Sequence, residues 1–192
     1  MRTRNVAAVL LFATLPLAAH AADTYTIDPP HTYAHFSINH LGFSTMQGRF
    51  EKSSGKITLD RAAKSGLVDI AIDAATISTG LAKRDQHLSG PDFFNAAEFP
   101  TIIYKSNTVK FKGDTPSTVE GTLTLLGVSK PVTLTIHAFK CGIDPMDPVK
   151  KPEKCGADAS TQIKRSDFGM KYALPNLGDD VKLVFEVEAY KN

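Results

Sequence analysis

The sequence predicts an all-β protein of about eight antiparallel strands, with one short helical insertion at about residues 80–95. Three observations carry that prediction. Apolar and polar residues alternate with period two in segment after segment, the pattern of strands with one buried face. Gly, Pro, Asp and Ser clusters punctuate those segments. One stretch, Leu81–Pro100, departs from the alternation.

In chain order, Thr24–Ile27 is a short strand that stops at Asp28-Pro29-Pro30, because proline cannot donate to a ladder. From Tyr33, Ala34, Phe36 and Ile38 share one face, and His35, Ser37 and Asn39 share the other. Thr45–Phe50 and Lys56–Leu59 read as a hairpin around Ser53-Ser54-Gly55. In Leu67–Asp73, Val68, Ile70 and Ile72 oppose Asp69, Ala71 and Asp73. After the insertion, Thr101–Ser106 and Thr108–Lys112 lead to the turn Gly113–Pro116. Val119, Gly121, Leu123 and Leu125 then oppose Glu120, Thr122 and Thr124. Val132, Leu134, Ile136 and Ala138 oppose Thr133, Thr135, His137 and Phe139. Ala157–Lys164 precedes the connector Arg165–Gly169, and the last strand sets Val181, Leu183, Phe185 and Val187 against Lys182, Glu186 and Glu188. Strands with one apolar face need a second sheet or closure on themselves. An eight-stranded barrel encloses side chains or one slender ligand, and closure removes exposed edges.

Within the insertion, Leu81 and Leu88 share a helical face, with Arg84 and Asp85 between them. Ser89-Gly90-Pro91-Asp92 has the composition of a capped restart. Phe93, Phe94 and Phe99 add an aromatic cluster, so the segment reads as a lid over something hollow.

Residues 1–21 read as a cleaved secretory signal. Arg2 and Arg4 form a basic start, Val6–Ala18 is apolar, and Ala19-His20-Ala21 fits the A-x-A cleavage pattern. The apolar run is shorter than the roughly 20 residues of a membrane span. Residues 22–192 then form a single domain, released into a periplasm. Loss of Arg2 and Arg4 brings the formal charge from +2 to zero. That balance removes the electrostatic footprint of nucleic-acid binding and argues against steering to an anionic membrane or stable insertion there. The two cysteines, Cys141 and Cys155, flank a Pro- and Lys-rich loop. In an oxidising compartment a disulfide between them would stabilise by about 3 kcal/mol in the chain-entropy model.

Five motifs occur in order. They are His40-Leu41-Gly42-Phe43-Ser44 with Gly48-Arg49-Phe50, Arg84-Asp85-Gln86-His87-Leu88 with Asp92-Phe93-Phe94, Phe99-Pro100, the run Gly121–Val132, and Arg165-Ser166-Asp167-Phe168-Gly169. With them the chain resembles the YceI family of periplasmic, lipocalin-like, polyisoprenoid-binding proteins across all of residues 22–192. The resemblance implies an extended eight-stranded antiparallel barrel whose tunnel holds a long isoprenoid, of polyprenyl or quinone type, with no catalytic residue and no cofactor besides that ligand.

The inward candidates are Phe36, Ile38, Phe43, Met46, Phe50, Phe93, Phe94, Phe99, Leu123, Leu125, Ile136 and Phe168. Read from the residues alone they fill a core or line a tunnel. The absence of Trp and the small residues Ala34, Gly121 and Ala138 leave room for a linear chain. Arg84, Asp85 and His87 have two readings, contact with a ligand head group or hydrogen bonds that pin the insertion, with Asp167 or Arg165 as candidate partners. His31, His35, His40, His87 and His137 lack the spacing of a metal site. G-x-S-x-G and H-E-x-x-H are missing, although His35 and Asp69 could approach across strands.

The function expected is non-catalytic transport or storage of a long isoprenoid lipid. Two other readings stand beside it: a small periplasmic enzyme acting on lipid or quinone head groups through His87 and Arg84, and an interaction module of a membrane redox or stress system. A homodimer is compatible with the sequence, which does not specify one.

Overall fold

The computed structural model describes residues 21–192 of the 192-residue chain, so the signal expected at residues 1–21 lies, Ala21 apart, outside the described residues. The strands are β1 (Asp23–Ile27), β2 (Tyr33–His40), β3 (Ser44–Phe50), β4 (Ser53–Asp60), β5 (Ser65–Asp73), β6 (Ile77–Ser78), β7 (Thr101–Lys112), β8 (Thr115–Leu125), β9 (Val128–Ile143), β10 (Glu153–Lys164) and β11 (Leu177–Lys191). The one α-helix among the described residues is α1 (Ala82–Leu88).

These segments build a closed antiparallel barrel of eight staves. β11 pairs with β2 along its first part and with β1 along its last, where Tyr25 meets Lys191 and Ile27 meets Ala189. β1 and β2 are therefore two halves of one stave, interrupted by a 3-10 turn at Pro29–His31. β3 and β4 form the next stave in the same way, and β5 and β6 the third. β7, β8, β9, β10 and β11 complete the ring. The sheet thus has no free edge over most of its length, which removes the usual template for strand-to-strand aggregation.

Three sequence expectations are corrected here. Ser53-Ser54-Gly55 is not a hairpin turn but the start of β4, which pairs with β5 on one side and β1 on the other. Gly55 is required within the strand: its φ is +144°, and a Cβ there would collide with the Asp69 carbonyl. Ser89–Asp92 does not restart a helix; the chain leaves α1 through turns in which Phe94 N–H donates to the Leu88 carbonyl at 2.9 Å. Finally, the alternation in β9 slips. Ala159 pairs with Ile136 while Asp158 pairs with Ala138, a bulge that reverses the phase, so Phe139 faces inward and Ala138 outward.

The loop between β9 and β10 is closed by the Cys141–Cys155 disulfide, whose cysteines are directly opposed across the two strands.

Candidate ligand cavity

The alternation that builds each stave also builds the site. Inward residues at the barrel centre surround a bore instead of meeting in a solid core. The lower chamber, toward β1, is lined by Tyr25, Ile57, Leu59, Val68, Ile70, Tyr104, Val109, Val119, Leu134, Phe139 and Val187, among others. The upper chamber, under the insertion, is lined by Phe36, Ile38, Phe50, Leu88, Phe93, Phe94, Ile163, Met170 and Val181, among others. Ala34, Ile72, Leu123, Leu183 and Phe185 line both and form the waist between them. Space for the centre of a water molecule amounts to about 120 Å³ in the lower chamber and 100 Å³ in the upper, a slender bore suited to a linear chain.

Two glycines let rings lie flat against the wall. A Cβ at Gly48 would overlap the Phe36 ring and approach the Thr79 methyl to 2.8 Å. A Cβ at Gly121 would come within 2.8 Å of the Tyr104 ring. The room expected from Gly121 is thus taken by Tyr104, while Ala34 does leave its space to the bore. Tyr104 donates its buried hydroxyl toward the carbonyls of Val119 and Val132, 3.0 Å from each, and burial pushes its pKa up to about 12.

Arg165 also borders the upper chamber, and it is 2% exposed. No carboxylate lies within ion-pair distance of it among the described residues. Its Nε donates to Gly178 O at 2.8 Å, Nη1 to Met170 O at 3.1 Å and Nη2 to Leu177 O at 3.0 Å. Gly178 falls in the register shift between Leu177 and Val181, out of the β2–β11 ladder, which frees its carbonyl to accept. Burial lowers the guanidinium pKa, yet an arginine remains charged. Its positive charge is spread over carbonyl dipoles at the chamber wall.

The insertion lies over the upper chamber. Phe94 sits edge-on to Phe50 with ring centres 5.1 Å apart, and Phe36 lies 6.0 Å from Phe50. Outside this layer, His87, Phe93 and Tyr172 form a second cluster with centres 5.1–5.5 Å apart.

Of the residues expected to line a tunnel, Phe36, Ile38, Phe50, Phe93, Phe94, Leu123, Leu125 and Ile136 border the chambers. Phe43 does not: it is 89% exposed at the tip of the β2–β3 hairpin, where strand alternation no longer applies. Met46 is half-buried opposite Ile38, outside both chambers. Phe99 packs near Gly127, and Phe168 is buried within the 3-10 turn Arg165–Phe168 beside an outer groove. None of Arg84, Asp85 and His87 borders a chamber. Arg84 and Asp85 do not reach Asp167 or Arg165; both meet Thr79. His87 stands 3.0 Å from Asp92 and is half-exposed.

The histidines do not converge. His35 pairs with Glu186, His137 with Ser160, and Asp69 with Lys105 instead of His35. His31 joins Asp28 and Glu188, but the Lys154 ammonium already bonds both carboxylates and supplies the cation there. Burial opposes that charge; hydrogen bonds to Glu188, Tyr190 and Asp28 outweigh it and raise the Lys154 pKa.

Sequence reasoning missed the lower chamber almost entirely. The signal was present in Val68, Ile70, Leu134 and Val187, apolar-face residues to which the spacing alone assigns no role.

A family model of the YceI-like domain matches residues 25–189. A UPF0312 protein of Shewanella denitrificans is 38% identical over 193 residues, covering 98% of both chains. A UPF0312 protein of Pseudomonas aeruginosa is 35% identical over 195 residues and the full length of both. Among solved structures, the YceI protein of Campylobacter jejuni is 31% identical with a TM-score of 0.67, covering 81% of this chain and 90% of that one. BcnA of Burkholderia cenocepacia shares the fold at 22% identity and a TM-score of 0.71, over 85% of this chain and 99% of that one. So does a polyisoprenoid binding domain from Saccharophagus degradans, at 16% identity and a TM-score of 0.63, over 88% and 98%. By the match over nearly the whole barrel, the chain belongs to the YceI-like family.

Proposed function

We propose that this protein binds a long isoprenoid lipid, of polyprenyl or quinone type, in the bore of its barrel, without catalysis, to carry or store it. The observation that carries the reading is the bore itself: slender, lined along two chambers by aliphatic and aromatic side chains, and bordered by a lone buried guanidinium at its upper end. A linear hydrocarbon with repeated methyl branches suits such a wall. The shared fold of the polyisoprenoid binding domain from Saccharophagus degradans supports the same ligand class.

Binding is driven by desolvation of the tail, at about 0.8 kcal/mol per buried CH₂. At about 0.3 kcal/mol per heavy atom, a ligand of about 40 heavy atoms gains about 12 kcal/mol, a nanomolar affinity. The setting we propose is the periplasm, after removal of residues 1–21, with residues 22–192 acting as one domain.

The test is native mass spectrometry of protein purified from the periplasm without detergent, followed by organic extraction. A discrete added mass that extracts as an isoprenoid is the expected result. A clean ligand-free mass from fresh protein would overturn the reading.

A further inference from the structure

The β9–β10 loop, residues 144–152, presents a surface that cargo binding does not explain. Ile143 at its base is 58% exposed, Met146 87% and Val149 88%. Large apolar side chains gathered in one exposed segment mark a contact surface more often than an accident of folding. The loop is also held in shape. The disulfide closes its base, Asp144 N–H donates to Pro152 O at 2.9 Å, and Lys151 N–H to Asp147 O at 3.0 Å. Its apolar side chains are therefore displayed from a fixed backbone.

The charges around it are sorted. Asp144 is buried and accepts from the Tyr190 hydroxyl and from Met146 N–H, while Asp147 accepts from Lys150 N–H at 2.9 Å. Both acids of the loop are thus turned onto the protein's own donors. Lys140, Lys150 and Lys151 are exposed, and none has an ion-pair partner among the described residues. Within residues 140–152 three lysines stand against these two acids, a local excess of positive charge that the balance of the whole chain conceals, while Asp158, Glu186 and Glu188 line the groove below Lys140.

We infer that the β9–β10 loop docks the barrel onto a bilayer with anionic head groups, Met146 and Val149 entering the interface and Lys140, Lys150 and Lys151 meeting the phosphates. Apolar side chains flanked by lysines are the combination that binds such an interface, each lysine adding a gain that salt screens. The loop stands at the end of the barrel where Phe139 and Cys155 border the lower chamber. The inference goes beyond lipid carriage, and docking requires no cargo.

The experiment is flotation of the mature protein with vesicles of phosphatidylcholine alone and of phosphatidylcholine with phosphatidylglycerol. Association with the anionic vesicles, weakened by salt, is expected. Lys150→Glu and Lys151→Glu should each weaken it by about fivefold or more, since each replaces an attraction by a repulsion. Met146→Ser with Val149→Ser should weaken it further. Because the chain has no Trp, Val149→Trp supplies a unique fluorophore whose emission should shift to the blue on those vesicles alone. No association, equal association with neutral vesicles, or association unchanged in the loop variants would each overturn the inference. So would a concentration-dependent dimer that the loop variants abolish, which would make the surface an interface between copies. Extractable ligand is measured on the same variants, so failure of docking and failure of lipid carriage are read separately.

Discussion

Thr79 and Asp85 are joined twice: Asp85 Oδ1 accepts from the Thr79 backbone N–H at 2.8 Å and from its hydroxyl. Arg84 completes the arrangement from the next position, donating Nε to the Thr79 hydroxyl oxygen and Nη2 to the Thr79 carbonyl, both at 2.7 Å. One threonine just past β6 therefore ties down the start of the insertion that covers the upper chamber. Asp85→Ala should cost about 2 kcal/mol, because it removes two bonds to a charged acceptor. Equilibrium denaturation reads that loss. Exchange of bound ligand into acceptor vesicles should also accelerate, and an unchanged exchange rate would detach the pin from any lid role.

Ala34 lies at the waist between the chambers. Ala34→Leu should fill that space, leave a folded barrel of equal or greater stability, and lower the ligand recovered by extraction. The bore narrows while apolar volume is gained, so stability and binding move apart. Undiminished ligand in the folded variant would count against the waist as part of the path.

Gly48 gives the opposite test, of packing alone. Gly48→Ala drives a methyl into the Phe36 ring and should destabilise by about 1–3 kcal/mol. Denaturant titration with the m-value unchanged is the measurement. Since Phe36 also packs on Phe50 and Phe94, the loss should appear first as faster amide exchange in the insertion.

Asp144 carries a pH dependence. Hydrogen bonds from the Tyr190 hydroxyl and Met146 N–H hold its carboxyl below the usual range. A carboxyl with a lowered folded pKa contributes stability above its unfolded value and loses it as pH falls through the folded one. The stability gap between the native protein and Asp144→Asn should thus be full near neutral pH and shrink as pH falls below the ordinary carboxylate range. Thermal melts across that range read the gap, and one constant with pH would show that the charge is not what matters.

Much of the barrel was legible because alternation is a direct record of which face is dry. The inward sets in β2, β5 and β8 stand as the spacing placed them. Where legibility failed, the cause was local geometry. The bulge opposite Asp158 and Ala159 exchanged Ala138 for Phe139, an event one sequence does not mark. Gly55 carried a turn's composition but served a close approach within a strand. Arg84 and Asp85 stood out with pinning as one of two readings, while their partner, Thr79, gave no sign beyond being polar and nearby. The disulfide was readable because the two cysteines flank one Pro- and Lys-rich loop.

The bore has a consequence for the life of the protein. A hollow barrel lacks part of the apolar contact that a filled one would make, and a tenant bound only by the folded state raises stability in proportion to the logarithm of its supply. Proteases act on the opened chain, so occupied copies should outlast vacant ones. On the proposed function, the number of barrels would then follow the amount of lipid on offer, a form of accounting that needs no regulator and no change in synthesis.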